Sequence, residues 1–376
     1  MTPRPRGSGS PGPALAQAGR AEASSQLAAR ARWLDGWAGR SMLQRPRIWG
    51  AALLTVAKPS LIYIKAKQHA PQLLPTLEQH FTCHQVPPLP VAWVDAVKPV
   101  AKGVRALVTG TMVGADAALL DALPDLEVVI VAGGHVDLVD PATVARRGIR
   151  ITNTPNASAP DVADLAMALM LDASRRVSEA DRWVRRGEWK EVGAPLFSRR
   201  LNGKRLGIVG LGAIGGRVAS RAQAFDMTVA YTGRAAKPGV PYRYVENVLQ
   251  LATEVDVLSL HCSVTPATRK MIDSRVLAAL GPEGILINVA RGPIVDQPAL
   301  IDALRAGTIA AAGLDVFDDE PNVASELMAL ENVVLNPHHG AFTFEAKKTM
   351  VDLALANLQA FFEGRPLVTP VEPHAH

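Results

Sequence analysis

From Lys58 onward, short β-branched runs alternate with Ala/Leu-rich stretches of helical period, and that alternation leaves few architectures open. The predicted strands are the runs at 61–64, 106–109, 128–132, 149–152, 206–209, 228–231, 257–260, 285–289, 312–316 and 333–335. Near-continuous apolar runs suit strands covered on both faces, and strand–helix alternation argues a parallel sheet. Ten such strands exceed one open sheet of usual size, so the pattern favours two α/β domains within the 376 residues.

Composition removes several other classes. Two cysteines, Cys83 and Cys262, are too few for a disulfide framework or a Cys-rich zinc site, so no metal is expected and a reducing, cytoplasmic setting is the default. No stretch approaches the ~18 uninterrupted apolar residues of a membrane span. The net charge of +5 hints at nucleic acid, but its distribution does not. Residues 1–57 hold eight arginines, no lysine and two acids, which gives +6 and leaves −1 for the rest. This basic extension is rich in Gly, Pro, Ser and Ala without apolar period, so it is expected to be disordered. It reads as a solvated tail, an organelle-targeting segment or an extended start upstream of Met42. Neither nucleic acid nor membrane is an expected partner.

The most informative stretch is LNGKRLGIVGLGAIGGRVASRAQAFDMTVAYTGR. A predicted strand leads into Gly210, Leu211, Gly212, Ala213, Ile214 and Gly215, followed by a helix and a second strand. In this G-x-G-x-x-G pattern Gly210 allows the tight turn, Gly212 lets backbone approach a diphosphate, and Gly215 lets helix and strand pack closely. The diphosphate would sit on the free N–H groups at the positive end of the helix. An acid should end the second strand if the ligand is NAD, but Thr232 stands there, followed by Gly233 and Arg234. Without a carboxylate nothing repels a 2′-phosphate, and a guanidinium can bind one bidentately. NADP(H) is therefore the expected cofactor, with NAD(H) as the alternative. Taken alone, Arg234 also reads as a solvated loop charge.

Three downstream segments each follow a predicted strand: Asn288-Val289-Ala290-Arg291-Gly292, Gly313-Leu314-Asp315-Val316-Phe317 running on to Glu320-Pro321, and Asn336-Pro337-His338-His339-Gly340. Ligands of open α/β sheets bind outside the carboxyl ends of strands, so an arginine, a glutamate and a histidine would converge there. Singly each has a bland reading as a loop cap, an acidic turn or a turn residue.

With these segments in place the chain resembles the D-isomer-specific 2-hydroxyacid dehydrogenase family, and within it the bacterial glyoxylate/hydroxypyruvate reductases. The resemblance covers about residues 58–371 and includes GLGAIG, HCSVTPATR, INVARGPIVD, AAGLDVFDDEP and NPHHG. It implies two Rossmann-like or flavodoxin-like domains, with residues 58–155 and 342–376 forming a discontinuous substrate domain and 156–341 the dinucleotide domain. It also implies reduction of a small 2-ketoacid to the D-2-hydroxyacid. Arg291 would bind the substrate carboxylate or carbonyl, His338 would be the general acid, and Glu320 would hold its imidazole. Cofactor contacts would come from the glycine turn, Thr232, Gly233, Arg234, Cys262, Thr268, Val289, Ala290, Asp315 and Gly340. A homodimer is implied, with an arm between the hinge helix and the glycine turn; Trp183, Trp189 and Phe197 are candidates for its contact.

Two departures stand out. The family's substrate loop reads Gly-x-Gly-x-Asp, whereas here it is Gly133-Gly134-His135-Val136-Asp137. A glycine at 135 would be needed only if that position holds φ > 0. Substrate contacts are expected from the N–H groups of Gly134 and His135 and from Arg291, and His135 could alternatively add a side-chain donor. The second departure is His339 beside His338, a competitor for the catalytic role. Other D-2-hydroxyacid dehydrogenases of phosphoglycerate or D-lactate type, and a dinucleotide-sensing corepressor-like protein, are the alternative functions.

Overall fold

A computed structural model of the protein describes residues 57–66, 69–87, 93–192 and 197–371. The expected disorder of residues 1–57 falls, but for its last residue, outside the described residues. The chain builds two sheets in sequence order. The first holds β1 (Ser60–Ile64), β2 (Thr82–Val86), β3 (Ala106–Gly110), β4 (Val128–Ala132) and β5 (Arg150–Thr152) in the order β2-β1-β3-β4-β5. The second holds β6 (Arg205–Val209), β7 (Thr228–Thr232), β8 (Arg243–Tyr244), β9 (Val257–Leu260), β10 (Ile285–Asn288), β11 (Ala311–Leu314) and β12 (Val333–Leu335) in the order β12-β11-β10-β9-β6-β7-β8. Every pairing between these strands is parallel.

All ten predicted runs form strands, and two strands carry no such run. The sequence TCHQV of β2 and the two residues of β8 lie at sheet edges and, apart from Val86, are exposed or only partly buried. An edge strand has one neighbour and a solvated side, so it needs no continuous apolar run.

Each sheet is covered on both faces, which accounts for the apolar runs. In β1, Ile62 and Ile64 face a layer with Leu107, Leu119 and Leu120, while Leu61 and Tyr63 face one with Val108, Leu358 and Phe361. Those last two come from the helix Phe344–Phe362, which returns the end of the chain to the first sheet. Burying a side chain such as Leu358 contributes about 1.5–3 kcal/mol. On the second sheet, Ala163, Ala166 and Met170 of the helix Ala159–Arg175 pack over Leu206, Ile208 and Ile287.

The chain passes between the sheets twice, and the crossings are tied together. Thr343 caps the helix Phe344–Phe362 by accepting from the Ala346 N–H, and its hydroxyl donates to Asp161 in the first turn of the helix Ala159–Arg175 at 2.5 Å. Buried Asn357 accepts from the N–H groups of Val368 and Thr369, and the Thr369 hydroxyl donates to the Asn153 carbonyl. No helix among the described residues is long and apolar enough to cross a membrane.

Candidate active site

The strand order reverses at β6, between β7 and β9, where α/β sheets bind ligands beyond the carboxyl ends of their strands. Val209 at the end of β6 pairs with Thr232 on one side and Leu260 on the other, so the turn beginning at Gly210 lies between the ends of β7 and β9. Gly210 takes φ +94° and its N–H donates to the Thr232 carbonyl at 3.0 Å. A Cβ there would lie 2.9 Å from the Cys262 nitrogen, so both conformation and space demand glycine. Gly212 is the N-cap of the helix Ala213–Gln223, in extended conformation and with no side chain capping the helix. The first N–H groups of the helix, at Ala213 and Ile214, have no partner within it, and a Cβ on Gly212 beside them would meet nothing within 4 Å. An anion suits such an end.

The end of β7 is built to carry a cation outward. Thr232 is buried; Gly233 and Arg234 are exposed. The Tyr231 hydroxyl accepts from the Lys237 N–H at 2.6 Å and the Tyr244 hydroxyl donates to the Gly233 carbonyl at 3.3 Å, which staples the loop. Among the described residues Arg234 makes no ion pair or side-chain hydrogen bond. The residues present thus fit a dinucleotide with a 2′-phosphate: free N–H groups for the diphosphate, no acid at the ribose position and an available guanidinium beside it.

At the end of β10, Asn288 shapes the next turn. Its Oδ1 accepts from the Ala290 N–H at 3.0 Å and its Nδ2 donates to the Arg291 carbonyl at 3.0 Å. A Cβ on Gly292 would fall 1.8 Å from the Phe317 carbonyl oxygen, so glycine lets the arginine turn press against the segment after β11. That contact brings Arg291 and Glu320 into one site. Burial pulls the Arg291 guanidinium below its usual value, while the charges of Asp137 and Glu320 hold it up.

Glu320 accepts from the Phe317 N–H with Oε1 at 3.0 Å, and its Oε2 lies 2.6 Å from His338 Nδ1. Burial pushes this carboxyl up, but the bond and charge of His338, the Phe317 N–H and Arg291 outweigh it, so it rests below the usual carboxylate range. His338 itself sits at φ +53°, which is uncommon for a residue with a side chain. Asp315 explains how it is held. Its backbone carbonyl accepts from the His338 N–H at 2.9 Å, and its carboxylate accepts from the N–H groups of His339 at 2.7 Å and Gly340 at 3.0 Å and from Asn336 Nδ2. Burial raises the Asp315 carboxyl, opposed by those donors. Sequence reasoning missed Asn288, Gly292 and Asn336, whose signal was only a polar residue at a strand end or a glycine beside Arg291.

The two adjacent histidines have different surroundings. Glu320 pairs with His338, whereas the His339 ring lies 5.1 Å from the Phe342 ring. Cys262 is half-buried in packing, its thiol pushed up to about 11 by burial. Thr268 closes the turn after β9, accepting from the Thr265 N–H and donating to the Ser263 carbonyl. His261 bonds Ser259 at 2.9 Å and is pushed down to about 3 by burial, in keeping with a packing role.

On the first sheet, the loop after β4 is braced by the residues that follow β5. The Gly133 carbonyl accepts from the Thr154 N–H at 2.8 Å and the Gly134 carbonyl from Asn153 Nδ2 at 2.9 Å. None of Gly133, Gly134 and His135 has positive φ. The histidine at 135 therefore sits there without backbone strain, which removes the conformational need for glycine. Its Nδ1 lies 3.2 Å from Asp137 Oδ2. No cluster of three or more metal-ligating side chains occurs among the described residues.

Known proteins resemble the chain in sequence and in fold. Residues 167–340 match the model of the D-isomer specific 2-hydroxyacid dehydrogenase NAD binding domain. The chain is 48% identical over 271 residues to hydroxyphenylpyruvate reductase of Plectranthus scutellarioides, covering 72% of this chain and 86% of that protein. It is 39% identical over 315 residues to 2-ketogluconate reductase of Gluconobacter oxydans, covering 84% and 99%. The structure of an NADPH-dependent glyoxylate/hydroxypyruvate reductase of Sinorhizobium meliloti, in complex with NADP and malonate, superposes with a TM-score of 0.77 at 36% identity, covering 84% of this chain and 98% of that one. The chain belongs to the D-isomer specific 2-hydroxyacid dehydrogenase family.

Proposed function

We propose that the protein reduces a small 2-ketoacid of the glyoxylate or hydroxypyruvate type to the D-2-hydroxyacid, using NADPH in preference to NADH. The observation that carries the reading is the 2.6 Å His338–Glu320 contact together with a partly buried arginine that feels the Glu320 charge, at the strand ends that also bear the glycine turn. The named relatives are reductases, which favours catalysis over a corepressor-like role.

The helix end at Gly212–Ile214 would hold the diphosphate, and Arg234 beside Thr232 the 2′-phosphate; Gly233, Cys262 and Thr268 would line the cleft. Val289, Ala290, Asp315 and Gly340 would border the nicotinamide. When bound, that ring supplies the hydride. Arg291 presents a planar fork of donors to the carboxylate or reacting carbonyl, and the N–H groups of Gly134 and His135 take the carboxylate from the other side. Ionised Glu320 fixes His338 through Nδ1, which leaves Nε2 to hold the proton delivered to the carbonyl oxygen. In the reverse direction the same nitrogen removes it. Residues 58–155 with 342–376 would act as the substrate domain against 156–341, and closure would exclude water from the cleft.

Two further assignments go with this reading. The protein acts as a homodimer through the arm at 182–200, whose described residues Trp189 and Phe197 are 63% and 88% exposed, unusually high for large apolar side chains. It works in the cytoplasm, in keeping with two free cysteines.

The test is NADPH oxidation with glyoxylate, hydroxypyruvate, pyruvate and phenylpyruvate. His338→Ala should lower kcat by about 10²–10⁴ with NADPH affinity unchanged. A folded wild-type protein that turns over no 2-ketoacid would sink the reading. Light scattering that finds only a monomer at micromolar concentration would remove the dimer.

A further inference from the structure

The loop after β4 carries a second histidine–carboxylate pair that the reduction itself leaves unused. His135 Nδ1 is 3.2 Å from Asp137 Oδ2, and the histidine side chain is 27% exposed. Nδ1 is shut off from solvent, and the angle to Asp137 is too bent for a good hydrogen bond, so the contact is chiefly electrostatic. Nε2 keeps access to solvent. The loop cannot easily swing away. Asn153 and Thr154, just after β5, hold the carbonyls of Gly134 and Gly133, and the Ala115 N–H holds the Leu138 carbonyl at 2.9 Å. Asp137 and Glu320 both act on the charge of Arg291. The carboxylates of two histidine–carboxylate pairs, one from each sheet, thus bear on the charge of this arginine.

Chemistry separates what the two pairs can do. The Asp137 carboxylate 3.2 Å from Nδ1 favours the tautomer with its proton on Nδ1, and in that tautomer Nε2 presents a lone pair, which accepts from a hydroxyl and repels a carboxylate. The N–H of His135 and its imidazole belong to one residue, so a group held on the loop's N–H groups lies within a side chain's length of the ring. A ketoacid carboxylate held on those N–H groups and Arg291 would therefore leave its C3 substituent within reach of the ring.

We propose that His135, positioned by Asp137, is a specificity-determining residue that accepts a hydrogen bond from a hydroxyl on C3 of the substrate. The inference rests on the 2-ketoacid reductase reading and deepens it: the preferred substrate class is 2-ketoacids with a C3 hydroxyl. Hydroxypyruvate and pyruvate differ by that one hydroxyl, and glyoxylate has no C3, so the three form a direct test.

In wild-type protein kcat/KM should be higher for hydroxypyruvate than for pyruvate. His135→Ala should lower the hydroxypyruvate value about tenfold, the worth of one hydrogen bond, and leave pyruvate and glyoxylate within about threefold. His135→Phe keeps a ring without the lone pair and should do the same. It also decides the matter if the alanine variant unsettles the loop, seen as weakened NADPH binding. His135→Gln, which supplies an acceptor oxygen, should keep most of the preference. Equal losses for all three substrates, or no loss for hydroxypyruvate, would overturn the assignment while leaving the reductase reading intact. Absence of wild-type turnover with all three would instead defeat that reading, and this assignment with it.

Discussion

Two glycines of the same turn should respond in opposite ways to the same added methyl group. At Gly215 a Cβ would stand 2.3 Å from the Gly210 carbonyl oxygen and 3.0 Å from Ile208 Cγ2. A carbon–oxygen contact needs about 3.2 Å or more, so the helix Ala213–Gln223 would have to retreat from β6 by roughly 1 Å. Overpacking of that kind costs about 1–3 kcal/mol. At Gly212 a Cβ meets no protein atom within 4 Å, and the extended backbone accepts alanine. The stability cost of Gly212→Ala is then only the poorer cap, about 1 kcal/mol or less. That methyl would instead occupy the space in front of the free N–H groups where a diphosphate must approach. We expect Gly212→Ala to weaken NADPH binding about 10- to 100-fold, or roughly 1.4–2.8 kcal/mol. Gly215→Ala should lower the melting temperature of the apo protein by several degrees. Thermal unfolding of both variants without cofactor, with NADPH titration followed by fluorescence, separates the two effects. If Gly212→Ala binds NADPH as tightly as wild type, or destabilises as much as Gly215→Ala, the assignment of the turn is wrong.

Three more outcomes can be measured. Arg234→Ala should weaken NADPH much more than NADH, and equal loss for both would remove the 2′-phosphate role. Glu320 has a depressed pKa, so its contact with His338 stabilises the fold above the ordinary glutamate value and is lost as pH falls through the lowered one. Glu320→Gln should therefore flatten the acid limb of a stability–pH profile and lower kcat; an unchanged limb counts against the pair. Lys347, partly buried and with its Nζ 3.9 Å from the centre of the Phe342 ring, is pulled down to about 8 by burial. Between about 8 and the usual lysine value the unfolded chain holds the proton and the folded chain does not, so stability should rise with pH across that window. Lys347→Met should erase the rise.

Much of this architecture was legible because burial on both faces leaves a mark in one dimension. Strands such as β3 and β4, buried at every residue, read as apolar runs, and the glycine turn announced itself between β6 and a helix. The edge strands β2 and β8 did not, since a single neighbour asks little of their side chains. Arg291, Glu320 and His338 were visible as residue types at strand ends, 47 positions apart from first to last. What joins them was not visible. Gly292 matters only because the Phe317 carbonyl lies against it, and Asp315 because three N–H groups of the His338–Gly340 turn and one side chain converge on it.

The same division runs through the whole protein. Local order, the turn chemistry of Gly210–Gly215 and the absence of an acid at Thr232 are properties of neighbouring residues, so the sequence alone determined them. Which histidine meets Glu320, whether position 135 needs glycine, and that Arg291 feels the charges of both Asp137 and Glu320 depend on distances between segments far apart in the chain. Sheet register and close backbone approach set those distances, and only the tertiary structure holds them.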